Sequence, residues 1–564
     1  MNRIFVFCLL SLACMQIPGQ DLSLIGKSEP LQIAGSAGLQ YYGRPCRQSG
    51  SPYPSAGTIW QVGLTASLYG WSLPFSATYS NASLRWQQPF NRFSLQPSWK
   101  WIRIYLGDAS MNFSPYSLNG HQFTGAGTEL EPAGGKWKIS VMGGRLLRQT
   151  FPDTLHGLTG VRQRMGYGLA GEYHQEKFSL GAGIFYASDE KNNRVQAPDS
   201  LLESPAENLV FHFRGTAGFI ENLQVQYEYA VSFFTPDRRG PELKPDILYL
   251  MEFRNGSARY NAFKTGATYT TRIGSIGLSA ERVDPGYKTL GAYYHLNDFA
   301  NYTFLYAGAA LQKKLTWSVS SGWQYDNLAR RKRSTSRRLL HHLNMTYTPS
   351  DALQVNITYS DFSRYMYLRP AQEYLSSIDP WKEADTLHYR QVTGTWGGNA
   401  FWQKEDRAGN RHQVSFTYSR NISREQSADT LSSRGRFVSA SGGYTFTKPA
   451  NALSCSMIIQ YNNSQTGEIS SAYLGPAFSL RKSLAGKKIQ AYSIFSYNKT
   501  WQDKEKTGHV LTGRGGISCR QKSHTFDLTL GTAWRTTAEH PNRKEFTVDF
   551  SYRYSFSVKK EKEK

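Results

Sequence analysis

The stretch that decides the fold is FTVDFSYRYSFSV, Phe546 to Val558. Side chains alternate across a β-strand. Phe546, Val548, Phe550, Tyr552, Tyr554, Phe556 and Val558 therefore share one face, and Thr547, Asp549, Ser551, Arg553, Ser555 and Ser557 share the other. One face is wholly apolar or aromatic and the other wholly polar. A soluble sandwich would rarely place a strand this long and this aromatic at the end of its chain. The same period-2 text recurs upstream. Leu353, Val355, Ile357 and Tyr359 oppose Gln354, Asn356, Thr358 and Ser360, and Leu223, Val225, Tyr227 and Tyr229 oppose Gln224, Gln226 and Glu228.

The front of the chain has a different grammar. Met1-Asn-Arg3 gives a short positive start, and Ile4 to Ala13 supplies an apolar core too short to span a bilayer. This predicts a signal peptide over 1–20, with 21–564 as the mature chain. Lipidation at Cys14 is disfavoured, because Ser11 stands where a lipobox wants leucine.

No later stretch approaches the ~20 apolar residues of a membrane helix. Mean hydropathy is −0.50, yet aromatics make up 14% of the chain, with 35 Tyr, 30 Phe and 13 Trp. A transmembrane β-barrel reconciles the two, since only alternate residues meet lipid and Tyr and Trp populate the interfacial girdles. Connections agree with this reading. Tight ones lie near 132–135, 174–176, 348–351, 448–451 and 520–523. Longer ones span about 188–206, 235–257, 284–300, 326–337, 361–387 and 420–434. Short periplasmic turns alternating with long extracellular loops are the asymmetry of outer-membrane barrels. The expected fold is all-β: a single large antiparallel transmembrane β-barrel with strands over about 31–558 and a basic tail at 559–564. About 25 segments can be counted, and a single-chain barrel should be even. That predicts 24 strands, within a range of 22–26. No separate plug domain precedes the strands, so a lumen of that size is open, or is closed by infolded loops or a partner.

The formal net charge of +23 gathers in connections such as Arg330-Arg331-Lys332-Arg333 and in the tail. That disfavours a nucleic-acid surface and suits solvated loops, with anionic lipopolysaccharide as a partner. Cys46, Cys455 and Cys519 form no disulfide framework and have no metal-ligand spacing. Catalytic motifs are absent, and His121, His341, His342 and His388 stand beside no nucleophile motif. The expectation is no enzyme, no catalytic residue, no metal and no cofactor.

The most distinctive text is YLGDASMNFSPYSLNGHQFTGAGTEL, Tyr105 to Leu130. Its closely spaced glycines imply tightly packed backbone or a bulge. The Gly-Asp, loop, Phe-x-Gly layout resembles a segment of fimbrial ushers, which implies a barrel of about this strand number. ERVDPGYKTLGAYYHLNDFANYT (Glu281 to Thr303) and LPFSATYSN (Leu73 to Asn81) resemble Bacteroidota-type outer-membrane β-barrels of undefined role, a likeness that implies fold and location but no substrate.

The reading of function is a pore or translocation channel for solute or polypeptide in the cell outer membrane. The alternative is a plugged surface receptor or assembly protein that binds through long loops, including 361–387 with Tyr365, Tyr367, Arg369 and Trp381. Expected partners are the outer membrane and its lipopolysaccharide, the barrel-assembly machinery and an envelope protein. Lumen-lining candidates are Gln224, Gln226, Glu228, Gln354, Asn356, Asp527, Arg535, Asp549 and Arg553. Candidates at the mouth are Gly107, Asp108, Pro115, Gly125 and Gly127. Part of 108–122 is expected to fold into or across the barrel mouth, with Asp108 meeting Arg103 or Arg145 because an unpaired carboxylate there would be costly.

Overall fold

A computed structural model describes residues 31–44, 56–68, 70–81, 92–132, 134–152, 159–191, 202–247, 250–331, 337–361, 392–424, 434–486, 488–503, 505–537 and 543–559. The signal segment, Cys46, the recognition residues of loop 361–387, His388 and the tail beyond Lys559 lie outside these.

One antiparallel sheet holds 27 strand segments. Two of them, Arg92–Leu95 and Ser98–Trp99, are halves of a single strand interrupted at Gln96-Pro97. Proline has no N–H to donate to the ladder. The wall survives the break because Ile104 N–H reaches Pro97 O at 2.8 Å and Gln96 N–H reaches Pro74 O at 2.9 Å. The barrel therefore has 26 strands, the top of the expected range and two more than 24.

The sheet closes on itself. Leu31–Gly43 pairs with Ala56–Leu68 on one side and with Arg543–Lys559 on the other, with Leu39 opposite Tyr552. Closure is what the bilayer demands, because lipid offers no hydrogen-bond partner to an open sheet edge.

On the outer face stands a belt of large exposed apolar residues, among them Trp323, Trp396, Phe416, Ile459, Phe495 and Leu528. In a soluble protein so many would be anomalous; around a closed barrel they are the lipid-facing surface. The tight connections near 132–135, 174–176, 348–351, 448–451 and 520–523 lie at the end that carries both Leu31 and Lys559, and the long connections lie at the other, which also holds the two-residue turn at 467–468. A large barrel with such a belt belongs in the outer membrane.

Beside the barrel sheet, Glu242–Ile247 and Met251–Arg254 form a two-stranded hairpin inside the 236–257 connection. Met251 is buried in a cluster with Tyr186 and Leu209, and Phe233 packs against Phe253 at 6.0 Å. The hairpin thus covers part of the wall near the rim.

Candidate functional site

The strand Ile102–Asn112 pairs with its earlier neighbour only as far as Gly107, and Asn119–Leu130 pairs with Trp137–Leu147 only from Thr124 onward. Above those points the two arms still pair with each other, Ala109 opposite Phe123 and Asn112 opposite Asn119. The hairpin tip therefore leaves the wall and turns inward. Phe113, Ser114, Tyr116, Ser117 and Leu118 are all buried, while Pro115 is exposed. The glycines make this turn feasible. Gly107 has φ +86°, and a Cβ there would sit 2.2 Å from Phe93 O; a Cβ on Gly125 would sit 2.2 Å from Gly143 O. At Gly127 a Cβ would meet Met111 Sδ at 2.9 Å.

Asp108 has different partners from those expected. Its carboxylate accepts from Thr124 Oγ1 at 2.5 Å and from Phe93 N–H at 2.9 Å, capping backbone where wall pairing stops. Arg103 instead pairs with Glu129 at 3.5 Å. Asp108 lies on the strand face opposite Tyr105, Ala109 and Met111, so it does not enter the lumenal core.

The infolded tip docks on the 284–298 connection. Tyr287 Oη donates to Tyr116 O at 2.7 Å, Thr289 Oγ1 donates to Ser117 O at 2.7 Å, and Asn119 N–H donates to Gly291 O at 2.9 Å. His121 stacks on Tyr293 at 4.1 Å. His295 lies against the rings of Tyr116 and Tyr287 at 5.8 and 5.0 Å, and this burial pulls its pKa down to about 4. Burial and the nearby Glu281 carboxylate push the Tyr116 hydroxyl far above its ordinary range. Beneath the tip, inward apolar residues such as Phe185, Val210, Ala230 and Val283 complete two lumenal cores.

Just below runs a ladder of alternating charge. Register places Glu172 across Gly181 from Arg214, then Glu228, Lys264 and Glu281 on successive strands. Glu172 bonds Arg214, Ser114 of the tip donates to Glu228, and Tyr116 donates to Glu281 at 2.6 Å. A recess of about 380 Å³ opens here, with Glu172, Arg214, Gln226, Glu228 and Lys264 in its walls.

The strand register puts the other lumen candidates on the face away from the belt. Gln224 is exposed there, two residues from Gln226. Asp527 accepts from Ser551 at 3.1 Å, Arg535 lies 3.9 Å from Glu545, Asp549 is half-buried and Arg553 is exposed. Across the barrel, Asn356 donates to Asn344 at 2.9 Å and Thr346 at 3.0 Å, and Gln354 is exposed. The candidates thus divide among three sectors of the wall, and Glu228 joins the ladder. Glu172, Arg214, Lys264, Glu281, Ser114, Tyr116 and Tyr287 were missed. A single charge at an inward position on several strands was the available signal, but it acquires meaning once register is known. Of the histidines, His341 meets Ser321 Oγ at 3.1 Å through Nδ1, while Asp361 takes its backbone N–H. Cys455 and Cys519 are free thiols.

No protein-family model matches the chain, and no curated protein does. Among solved structures it is similar to the translocation pore of the P pilus usher PapC, with 9% identity, 94% of this chain and 100% of that one covered, and a TM-score of 0.37. The FrpB iron transporter of Neisseria meningitidis gives 8% identity, 93% and 82% coverage and a TM-score of 0.41. Pseudomonas aeruginosa OccK9 gives 10%, 93% and 98%, and 0.27. The resemblance is weak and concerns the barrel. The protein is a large outer-membrane β-barrel.

Proposed function

We propose that the protein is a pore that passes solute or polymer across the outer membrane, narrowed on one side by the 108–123 hairpin and the 284–298 loop. Size supports this. Twenty-six strands spaced about 4.8 Å apart and tilted about 40° enclose a backbone diameter of roughly 50 Å if circular. The hairpin tip and the 284–298 loop rise from separate strands and dock on each other inside the lumen, so they fill the part of it bounded by the strands between them. The observation that carries the reading is the state of the facing wall, where inward residues such as Gln354, Gln403 and Thr417 remain exposed. We read the chain as non-enzymatic, exported by the signal over 1–20, inserted by the barrel-assembly machinery and surrounded by lipopolysaccharide, with an envelope protein as a further partner.

Planar-bilayer recording of the purified protein tests the pore. Stable conductance steps are expected, and larger ones after residues 110–119 are deleted. Silence from both proteins would favour the second reading, a plugged receptor. That reading has its own support in the apolar lumenal cores that hold the hairpin in place.

A further inference from the structure

Resting on the pore reading, we infer that the cargo is an uncharged, hydroxyl-rich chain, a saccharide, guided by the wall opposite the infolded hairpin. Six consecutive strands, Leu353–Ser360, Val392–Glu405, Arg411–Arg424, Arg434–Lys448, Leu453–Thr466 and Ile469–Leu484, build that wall. Register sets Asn356, Asn399, Thr417, Ser441, Gln460 and Gly475 side by side across it. The alternate residues Trp396, Phe416, Tyr444, Ile459 and Phe478 form the exposed outer belt of the same strands, so this row faces the lumen.

Among the described side chains of these strands, the inward charges are Glu405 and Arg411, 3.5 Å apart, and Arg481, all toward the periplasmic ends. The remainder is largely hydroxyl and amide, as in Ser456 bonded to Ser479 at 2.5 Å and Thr447 to Ser454 at 3.2 Å. On the facing wall the charges alternate in sign along the ladder, three carboxylates against two cations, which leaves a net charge of −1.

Three consequences follow. Above the Glu405–Arg411 pair and Arg481 at the periplasmic end, the described wall carries no inward fixed charge and exerts little long-range Coulomb force on ions. Short hydroxyls and amides exchange hydrogen bonds with sugar hydroxyls at small net free energy, which permits movement without trapping. Inward rings at Phe401, Phe437 and Tyr473, set apart from one another, offer flat faces to sugar rings. A polypeptide rich in charged side chains finds no complement here.

The test uses the full chain in liposomes and planar bilayers. Swelling should be faster with neutral maltooligosaccharides than with oligolysine or oligoglutamate of equal size. The reversal potential in a KCl gradient should lie near zero. Asn399→Asp with Ser441→Asp should raise cation over anion permeability about fivefold, the factor for a unit charge met at ~4 Å in water. Heat-modifiable migration verifies that the variant barrel is folded. Charged peptides entering as fast as the sugars, or strong ion selectivity in the native protein, would overturn the inference and point to polypeptide cargo. No permeability to any solute, with or without the hairpin tip, would defeat the pore reading itself.

Discussion

Tyr552 and Ser551 are chain neighbours that meet different solvents. Tyr552 stands among the apolar belt opposite Leu39 and Phe526, whereas Ser551 turns inward and donates to Asp527. An arginine that faces lipid near the bilayer midplane costs about 2–4 kcal/mol, and one facing a wet lumen far less. Tyr552 lies close to the periplasmic turn, with its hydroxyl 2.9 Å from His524 Nδ1. Tyr552→Arg should therefore lower unfolding stability in lipid vesicles by about 1 kcal/mol, the cost nearer the interface, while Ser551→Arg leaves it nearly unchanged. Equal losses would show the register to be displaced. At Tyr116 the prediction concerns docking. Tyr116→Phe removes the hydroxyl that donates to Glu281 and leaves a carboxylate short of one partner, at about 1–3 kcal/mol. The hairpin should become more accessible to protease while the barrel stays heat-resistant.

At the scale of elements, the 102–130 hairpin is half wall and half plug. Its lower arms, Ile102–Gly107 and Thr124–Leu130, hold the ladder with both neighbours, so deleting 110–119 should spare the barrel. Antibiotic permeability of the outer membrane should rise. If permeability is unchanged and external protease cleaves the native segment freely, the tip is an ordinary surface loop. The partner loop adds a pH dependence through His295. Its docked pKa, about 4, lies below the ordinary 6.5 because burial against Tyr116 and Tyr287 penalises the cation. The undocked loop thus binds a proton more readily than the docked one. Docking is at full strength above about pH 6.5 and weakens as pH falls toward 4, by up to ~1 kcal/mol per unit. Protease cleavage within 284–298 should increase over that window, and His295→Asn should remove most of the dependence. His121 stacks on Tyr293 of the same loop and is also held below its ordinary value by burial, so a residual slope in the variant would belong to it.

For the whole molecule, legibility follows how far apart in sequence the causes lie. Alternation is local, so Phe546–Val558 announced its two faces, and the tight and long connections announced the two ends. Gly107, Gly125 and Gly127 announced close packing through their spacing. Their reason, a hairpin bending between backbones, needed Phe93 and Gly143 in view. The strand at 92–99 was harder to read, because Pro97 breaks its pattern and the repair comes from Ile104 on the next strand. The charge ladder was illegible for a stronger reason. Glu172 and Arg214, or Ser114 and Glu228, stand 42 and 114 residues apart, and no local pattern encodes such contacts. By itself the sequence determined the class: amphipathic strands with a lipid-compatible face must pair all their backbone and so must close. Tertiary structure decided the strand number and which residues meet across the lumen. It also turned one hairpin inward, because those outcomes depend on register and shape summed over the whole wall rather than on any stretch of it.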